Sequence, residues 1–250
     1  MRCFWAPLPV LLLVACSTST THGGGSASQP PPEQQAPHLN PDEIHADLIR
    51  QMLDNGQYYA ALAHIEDQKR TSHSNELALL EADARGHLGQ VAQADALYRQ
   101  LLGTRYAPQA YHGLGRLYVK TDLDGAIRNL RKAVEGAPTD VDFRNDLGYA
   151  LMEAGRYTEA MTELSTAAEL APNQLKSRHN LIILAMLMGN EGAVQRLMQQ
   201  ESGGMTPEQM TPEQLKDFRG QLKDLRDSAQ SIRERQNARR PKPQAGGKGE

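Results

Sequence analysis

Glycine and alanine recur along this 250-residue chain with a period near 34, and that recurrence limits the possible folds more than any other feature. The clearest unit is "NDLGYALMEAGRYTEAMTELSTAAELAP". Gly148 and Ala160 are small enough to let two antiparallel helices approach closely. Leu147, Leu164 and Ala167 fill the space between them, Gly155 turns the chain, and Pro172 cannot continue a helix. The preceding unit repeats the logic with Leu114, Gly115, Tyr118, Ala126, Leu130, Ala133 and Pro138. Gly115 to Gly148 is 33 residues and Ala126 to Ala160 is 34, so the turn inside that unit is one residue shorter. Gly56 to Gly89 is again 33, Gly89 to Gly155 is 66, and Gly155 to Gly189 is 34. Five units follow, with helix pairs expected near 41–68, 75–102, 108–136, 140–171 and 174–200. Aromatics at 5% and the absence of sustained period-2 alternation favour helix over strand.

These landmarks resemble the tetratricopeptide repeat (TPR). The expected fold is therefore an all-α, TPR-type helical-hairpin solenoid of about five units over residues 41–200, with a C-terminal capping helix. The start "NPDE" at Asn40 supplies an N-cap, a proline at the first helical position and an acid at the third.

Upstream, the apolar run from Cys3 to Cys16 is too short for the roughly 20 residues of a membrane-spanning helix. It has the form of a secretory signal. Its end, Leu13-Val14-Ala15-Cys16, resembles the bacterial lipobox, which implies a signal peptide over 1–15 and lipidation of Cys16. With Cys3 removed and Cys16 acylated, no thiol or disulfide would remain. Ser17 follows, where Asp is the usual inner-membrane retention signal, so the resemblance implies a lipid-anchored, periplasm-facing outer-membrane protein. Residues 16–40 are rich in Ser, Thr, Gly, Pro and Gln and have the composition of a disordered tether.

Downstream, "TPEQ" at Thr206 and again at Thr211 are successive helix-start signals. Leu215, Phe218, Leu222, Leu225, Ala229 and Ile232 then recur at spacings of three and four, which predicts an amphipathic helix within 206–236. It could close the end of the solenoid or offer a short coiled-coil seam to a partner. Residues 237–250 are expected to be a disordered basic tail. From Arg233 onward six basic and two acidic residues give a net of +4.

No reaction chemistry stands out. The eight histidines form no ligand pair of the His-Glu-x-x-His kind, and no mature cysteine remains for zinc. Gly113-Leu114-Gly115 lacks the third glycine and the preceding strand of a dinucleotide loop, so helix packing is its expected role. The expectation is a non-enzyme with no metal, no cofactor, no small-molecule substrate and no nucleic acid. The TPR resemblance implies protein partners bound as extended or helical peptides on the concave face, which the first helix of each pair lines. Counted from the glycines, the groove candidates are Gln109, His112, Arg116, Lys120, Asp142, Asn145, Tyr149 and Met152, followed by Lys176, His179 and Ile183. Arg116, Lys120 and Asn145 are similar to the clamp by which some TPR proteins hold a terminal carboxylate, and Asp142 departs from it.

"SRHNLIILAMLMGN", with Arg178, Asn180, Leu181 and Gly189, resembles the late repeat of the TadD family of Flp/Tad (tight-adherence) pilus assembly proteins. Ile182 departs from the small residue usual there. The resemblance covers roughly 75–200 and leaves out the C-terminal helix and tail. It implies an adaptor that assists assembly or localisation of a pilus secretion machine through a secretin or another assembly subunit. Two alternatives stay open: an outer-membrane scaffold that recruits peptidoglycan hydrolases, and an accessory subunit of a periplasmic enzyme.

Overall fold

Ala61, Ala94, Ala126 and Ala160, one in the second helix of each of the first four units, are all 0% exposed, and the architecture is built around that closeness. A computed structural model describes residues 41–240. The described chain is helical: α1 (Pro41–Asp54), α2 (Tyr58–Gln68), α3 (Asn75–His87), α4 (Val91–Leu101), α5 (Ala107–Tyr118) and α6 (Leu123–Gly136) come first. They continue as α7 (Val141–Glu153), α8 (Tyr157–Leu170), α9 (Leu175–Leu187), α10 (Glu191–Glu201) and α11 (Pro212–Arg239). Each odd-numbered helix packs on the even-numbered one after it through α10, and each pair packs on the next, so the expected solenoid of five hairpins is present. No strand occurs among the described residues, and none of their helices is long and apolar enough to cross a membrane.

The turns and caps follow from the sequence. Gly56, Gly89, Gly155 and Gly189 take φ of 70–72°, the left-handed conformation that ends the first helix of a unit. The third unit, with its shorter spacing, has no such glycine. There Asp122 instead caps α6 by accepting from the Gly125 amide at 2.9 Å. Ser74, Asp140 and Asn190 cap α3, α7 and α10 in the same way. Close packing explains the glycines inside helices. A Cβ on Gly148 would lie 2.6 Å from Leu164 Cγ, and one on Gly115 2.5 Å from Leu130 Cγ. Gly113 faces the Tyr98 ring, which a Cβ would meet at 2.2 Å, so the Gly113-Leu114-Gly115 sequence serves packing.

The C-terminal segment departs from its expected bounds at both ends. The first "TPEQ" forms only a short 3-10 turn, Pro207–Gln209, although its capping box is complete. Pro212 has no amide hydrogen and holds Thr211 extended (ψ 160°), so the first signal cannot run on into helix. The second capping box starts α11, where Gln214 N donates to Thr211 Oγ1 at 3.3 Å. At the far end α11 continues through 237–239, expected as tail, and stops at Arg240 (ψ 133°), the residue before Pro241. The signal peptide, Cys16, the tether and the tail from 241 lie outside the described residues.

The helix α11 closes the array by lying along the first helices of its last two hairpins. It packs on α9, and its C-terminal end reaches α7. Leu225, Ala229 and Ile232 are buried in the core shared with units three to five, and Phe218 and Leu222 flank them. Burying each large aliphatic side chain there contributes about 1.5–3 kcal/mol.

Candidate functional site

Neighbouring odd-numbered helices also touch one another, α1 with α3, α3 with α5 and α7 with α9, and so form the inner face of the array. Residues one period apart meet across this face. His112 Nε2 on α5 lies 2.8 Å from Asp146 Oδ2 on α7. Lys176 Nζ on α9 donates to the other oxygen of Asp146 at 2.8 Å. The His112 ring stacks on Phe143 with centroids 4.5 Å apart. Burial pushes the Asp146 carboxyl up, but the hydrogen bond and charge of His112, together with Lys176, outweigh it and hold it well below the usual carboxylate range. Asp142 nearby accepts from Gln174 Nε2 at 3.3 Å and lies 3.8 Å from Lys176 Nζ. This polar belt ties units three, four and five together.

On the N-terminal side of the belt an open groove of about 360 Å³ runs between α1, α3, α5 and the start of α7. Leu53, Leu79 and Leu80 give it an apolar strip, while Asp83, His87, Gln109, His112 and Arg116 supply polar groups. The Tyr98 hydroxyl donates to Asp83 at 2.6 Å. Burial raises the Asp83 carboxyl above its ordinary value in spite of that bond and of Arg116 nearby. The His87 ring stacks on Tyr58 with centroids 4.6 Å apart and lies 3.3 Å from Arg116 Nη2. Burial, then the Arg116 charge, lowers its pKa. Apolar strip, aromatic faces and mixed donors and acceptors in one open channel suit a peptide, whose backbone needs both kinds of polar partner. Among the described residues no three His, Cys, Asp or Glu come together as a metal site.

On the C-terminal side of the belt α11 covers the inner face. Arg235 meets Glu153 at 2.5 Å and Arg239 meets it at 3.0 Å. Burial pushes the Glu153 carboxyl up, but Arg235 and then Arg239 outweigh it and hold it below its ordinary value. Gln221 Nε2 bridges His179 at 3.0 Å and Glu201 at 2.6 Å.

The groove candidates therefore divide. Gln109, His112 and Arg116 line the open groove, and Asp142 stands at its edge. Lys176 is exposed but engaged by Asp146, and Lys120 lies past the end of α5, exposed in the turn. Asn145 and Met152 are 0% exposed, so they are core residues and not groove surface. Asn145 is oriented by accepting from Asn180 Nδ2 at 2.9 Å. Ile183 is buried, Tyr149 sits against Glu153 and Arg235, and His179 faces Gln221 of α11. The clamp-like trio Arg116, Lys120 and Asn145 is not assembled, because Asn145 is enclosed and Lys120 does not line the groove. Sequence reasoning passed over Asp83, His87, Asp146, Glu153 and Arg235. The signal that would have found Asp146 is its separation of 34 residues from His112.

Residues 117–182 match the tetratricopeptide repeat family, and the array of helical hairpins has the TPR-type solenoid fold. The TPR repeat-containing protein PA4299 of Pseudomonas aeruginosa PAO1 is 36% identical over 160 residues, 63% of each chain. The matched stretch thus spans less than two thirds of that relative's length. Among solved structures, MamA from AMB-1 has a TM-score of 0.51 at 25% identity, covering 64% of this chain and 98% of its own. TTC0263, a thermophilic TPR protein of Thermus thermophilus, has a TM-score of 0.56 at 22% identity, covering 76% of this chain and 98% of its own. The last is a likeness of fold.

Proposed function

We propose that this protein is a lipid-anchored adaptor whose inner groove holds a segment of a partner protein, and that the partner belongs to a Flp/Tad pilus secretion machine, a secretin or another assembly subunit. The observation that carries the adaptor reading is the open groove between α1, α3, α5 and α7, with Gln109, His112 and Arg116 directed to one channel. The pilus assignment rests on the TadD-like residues Arg178, Asn180, Leu181 and Gly189. Their places in the fold are consistent with one packed late repeat. Asn180 bonds Asn145, Leu181 is buried, Gly189 makes the left-handed turn, and Arg178 Nε lies 3.7 Å from Glu201.

In this reading Cys16 is acylated after removal of residues 1–15, and the protein faces the periplasm from the outer membrane. Two acyl chains already give stable attachment. The anchor confines the groove to one surface and raises its effective concentration for a partner there. The protein contributes binding and no chemistry of its own. The test is affinity capture of the full-length lipidated protein from solubilised outer membrane, with partners identified by mass spectrometry. Secretin or pilus-assembly subunits are the expected partners. Peptidoglycan hydrolases without pilus subunits would overturn the pilus assignment and favour a cell-wall scaffold.

A further inference from the structure

A pocket of about 390 Å³ opens where the end of α10, the connection 202–211 and the start of α11 meet, and no first helix of a repeat takes part in it. Met205, Met210 and Phe218 give it an apolar wall. Glu201 and Asp217 are its charged residues, with no lysine, arginine or histidine lining it. The wall is held in place by the connection's own bonds. Gly203 and Gly204 turn the chain at φ of 69° and 86°. Ser202 Oγ lies 2.8 Å from Met205 O, and Gln199 Nε2 donates to Gly204 O at 3.0 Å. Two capping boxes fix the rest, with the amides of Thr206 and Thr211 each donating to a glutamine side chain at 2.9 Å.

Glu201 is the residue out of place. It ends α10, where the helix dipole disfavours an anion, and yet its side chain is only 4% exposed. Gln221 Nε2, also on the pocket lining, donates to its Oε2 at 2.6 Å, and His179 Nε2 lies 3.3 Å from the same oxygen. Oε1 is left over. Arg178 Nε stops 3.7 Å away from it, and neither atom has a hydrogen-bond partner among the described residues. A buried carboxylate oxygen without a donor costs free energy, and a ligand that brings a donor recovers it.

We propose that this pocket binds the side chain of a lysine presented by a partner protein, with the ammonium donating to Glu201 Oε1 and drawn in by the exposed Asp217. The chemistry of the lining selects that ligand class. Two acids without a lining cation favour a positive charge, and Met205, Met210 and Phe218 suit the methylene stem behind it. The Phe218 ring adds attraction for an ammonium group. Only one oxygen of Glu201 lacks a donor, which fits the single-point ammonium of lysine better than the two-pronged guanidinium of arginine. The site needs neither the inner groove nor the pilus assignment, and α11 stays in place throughout.

The test follows the methyl signals of Met205 and Met210 by NMR in the full-length protein with isotope-labelled methionine methyls, assigned through Met205→Leu and Met210→Leu. The probe is the peptide acetyl-Gly-Gly-Lys-Gly-Gly-amide, titrated into the millimolar range. Both signals should shift saturably, and the same peptide with its lysine Nζ acetylated and uncharged should bind about tenfold more weakly. Glu201→Gln should weaken binding of the lysine peptide by about tenfold. Asp217→Asn, at an exposed position that leaves the fold intact, should weaken it by about threefold. Absence of any shift, equal binding of the two peptides, or binding that survives both substitutions would overturn the proposal. n-Pentylammonium binding as tightly as the peptide would overturn the assignment to a partner's lysine and give the pocket to free amines. The peptide should bind more tightly, because its backbone can reach the Gln214 side-chain nitrogen on the lining, which the capping box leaves available. No pilus subunit enters these measurements, so their failure is separable from failure of the pilus assignment.

Discussion

His112 and Asp146, 34 residues apart, face each other across the inner surface with Nε2 and Oδ2 separated by 2.8 Å. The same carboxylate takes Lys176 from the following unit, so one anion joins three repeats. Asp146→Asn should cost about 2 kcal/mol at neutral pH, the range for hydrogen bonds to a charged group. The folded carboxyl titrates below its unfolded value of about 3.9, so its contribution is complete above about pH 5 and is lost as pH falls through the folded pKa. Urea unfolding of both proteins between pH 2 and 5 should show a gap that narrows as the pH falls. A gap that widens in acid would contradict this.

The glycines separate into two kinds that a stability measurement can tell apart. Gly148→Ala places a methyl 2.6 Å from Leu164 Cγ, and overpacking of that sort should cost about 1–3 kcal/mol. Gly220→Ala meets nothing within 4 Å on an exposed helix and should stabilise by about 0.5–1 kcal/mol. Thermal unfolding should move the two midpoints in opposite directions.

Asn145 is enclosed and bonded to Asn180. Asn145→Ala should therefore lower stability by about 1–3 kcal/mol, since it leaves the Asn180 amide without its acceptor. Any loss of partner capture in that variant should track the loss of folded protein, measured by denaturation alongside binding.

The hairpins were legible because their cause is local. Small residues at Gly148 and Ala160, turn glycines and capping acids act within a few residues of themselves or one helix away. The groove was only partly legible. Counting from the glycines assigns residues to the first helix of each pair, but that helix has a buried side as well as an inner one. Asn145 and Met152 fall on the buried side and Gln109 and Arg116 on the open one. That α11 closes the end of the solenoid was among the sequence readings, but which helices it meets was not legible. Its stripe shows that one face is buried and does not say which helices bury it. The arginines that place it act on carbonyls and a carboxylate some 47 to 86 residues away in sequence. Read from composition, the same arginines suggest only a solvated tail.

The anchor has its own test. Cys16→Ala should shift the protein from the outer-membrane fraction to a soluble periplasmic or uncleaved precursor form, followed by fractionation and immunoblotting. Persistent outer-membrane fractionation of the variant would contradict lipidation at Cys16.

The most direct test of the account is quantitative capture of pilus-assembly subunits from solubilised outer membrane by wild-type protein and by Gln109→Ala/Arg116→Ala. Both substituted residues line the open groove, and neither is buried. The account predicts that capture falls at least tenfold while the unfolding midpoint stays within a few degrees. Undiminished capture by the folded variant would place the partner surface somewhere other than this groove.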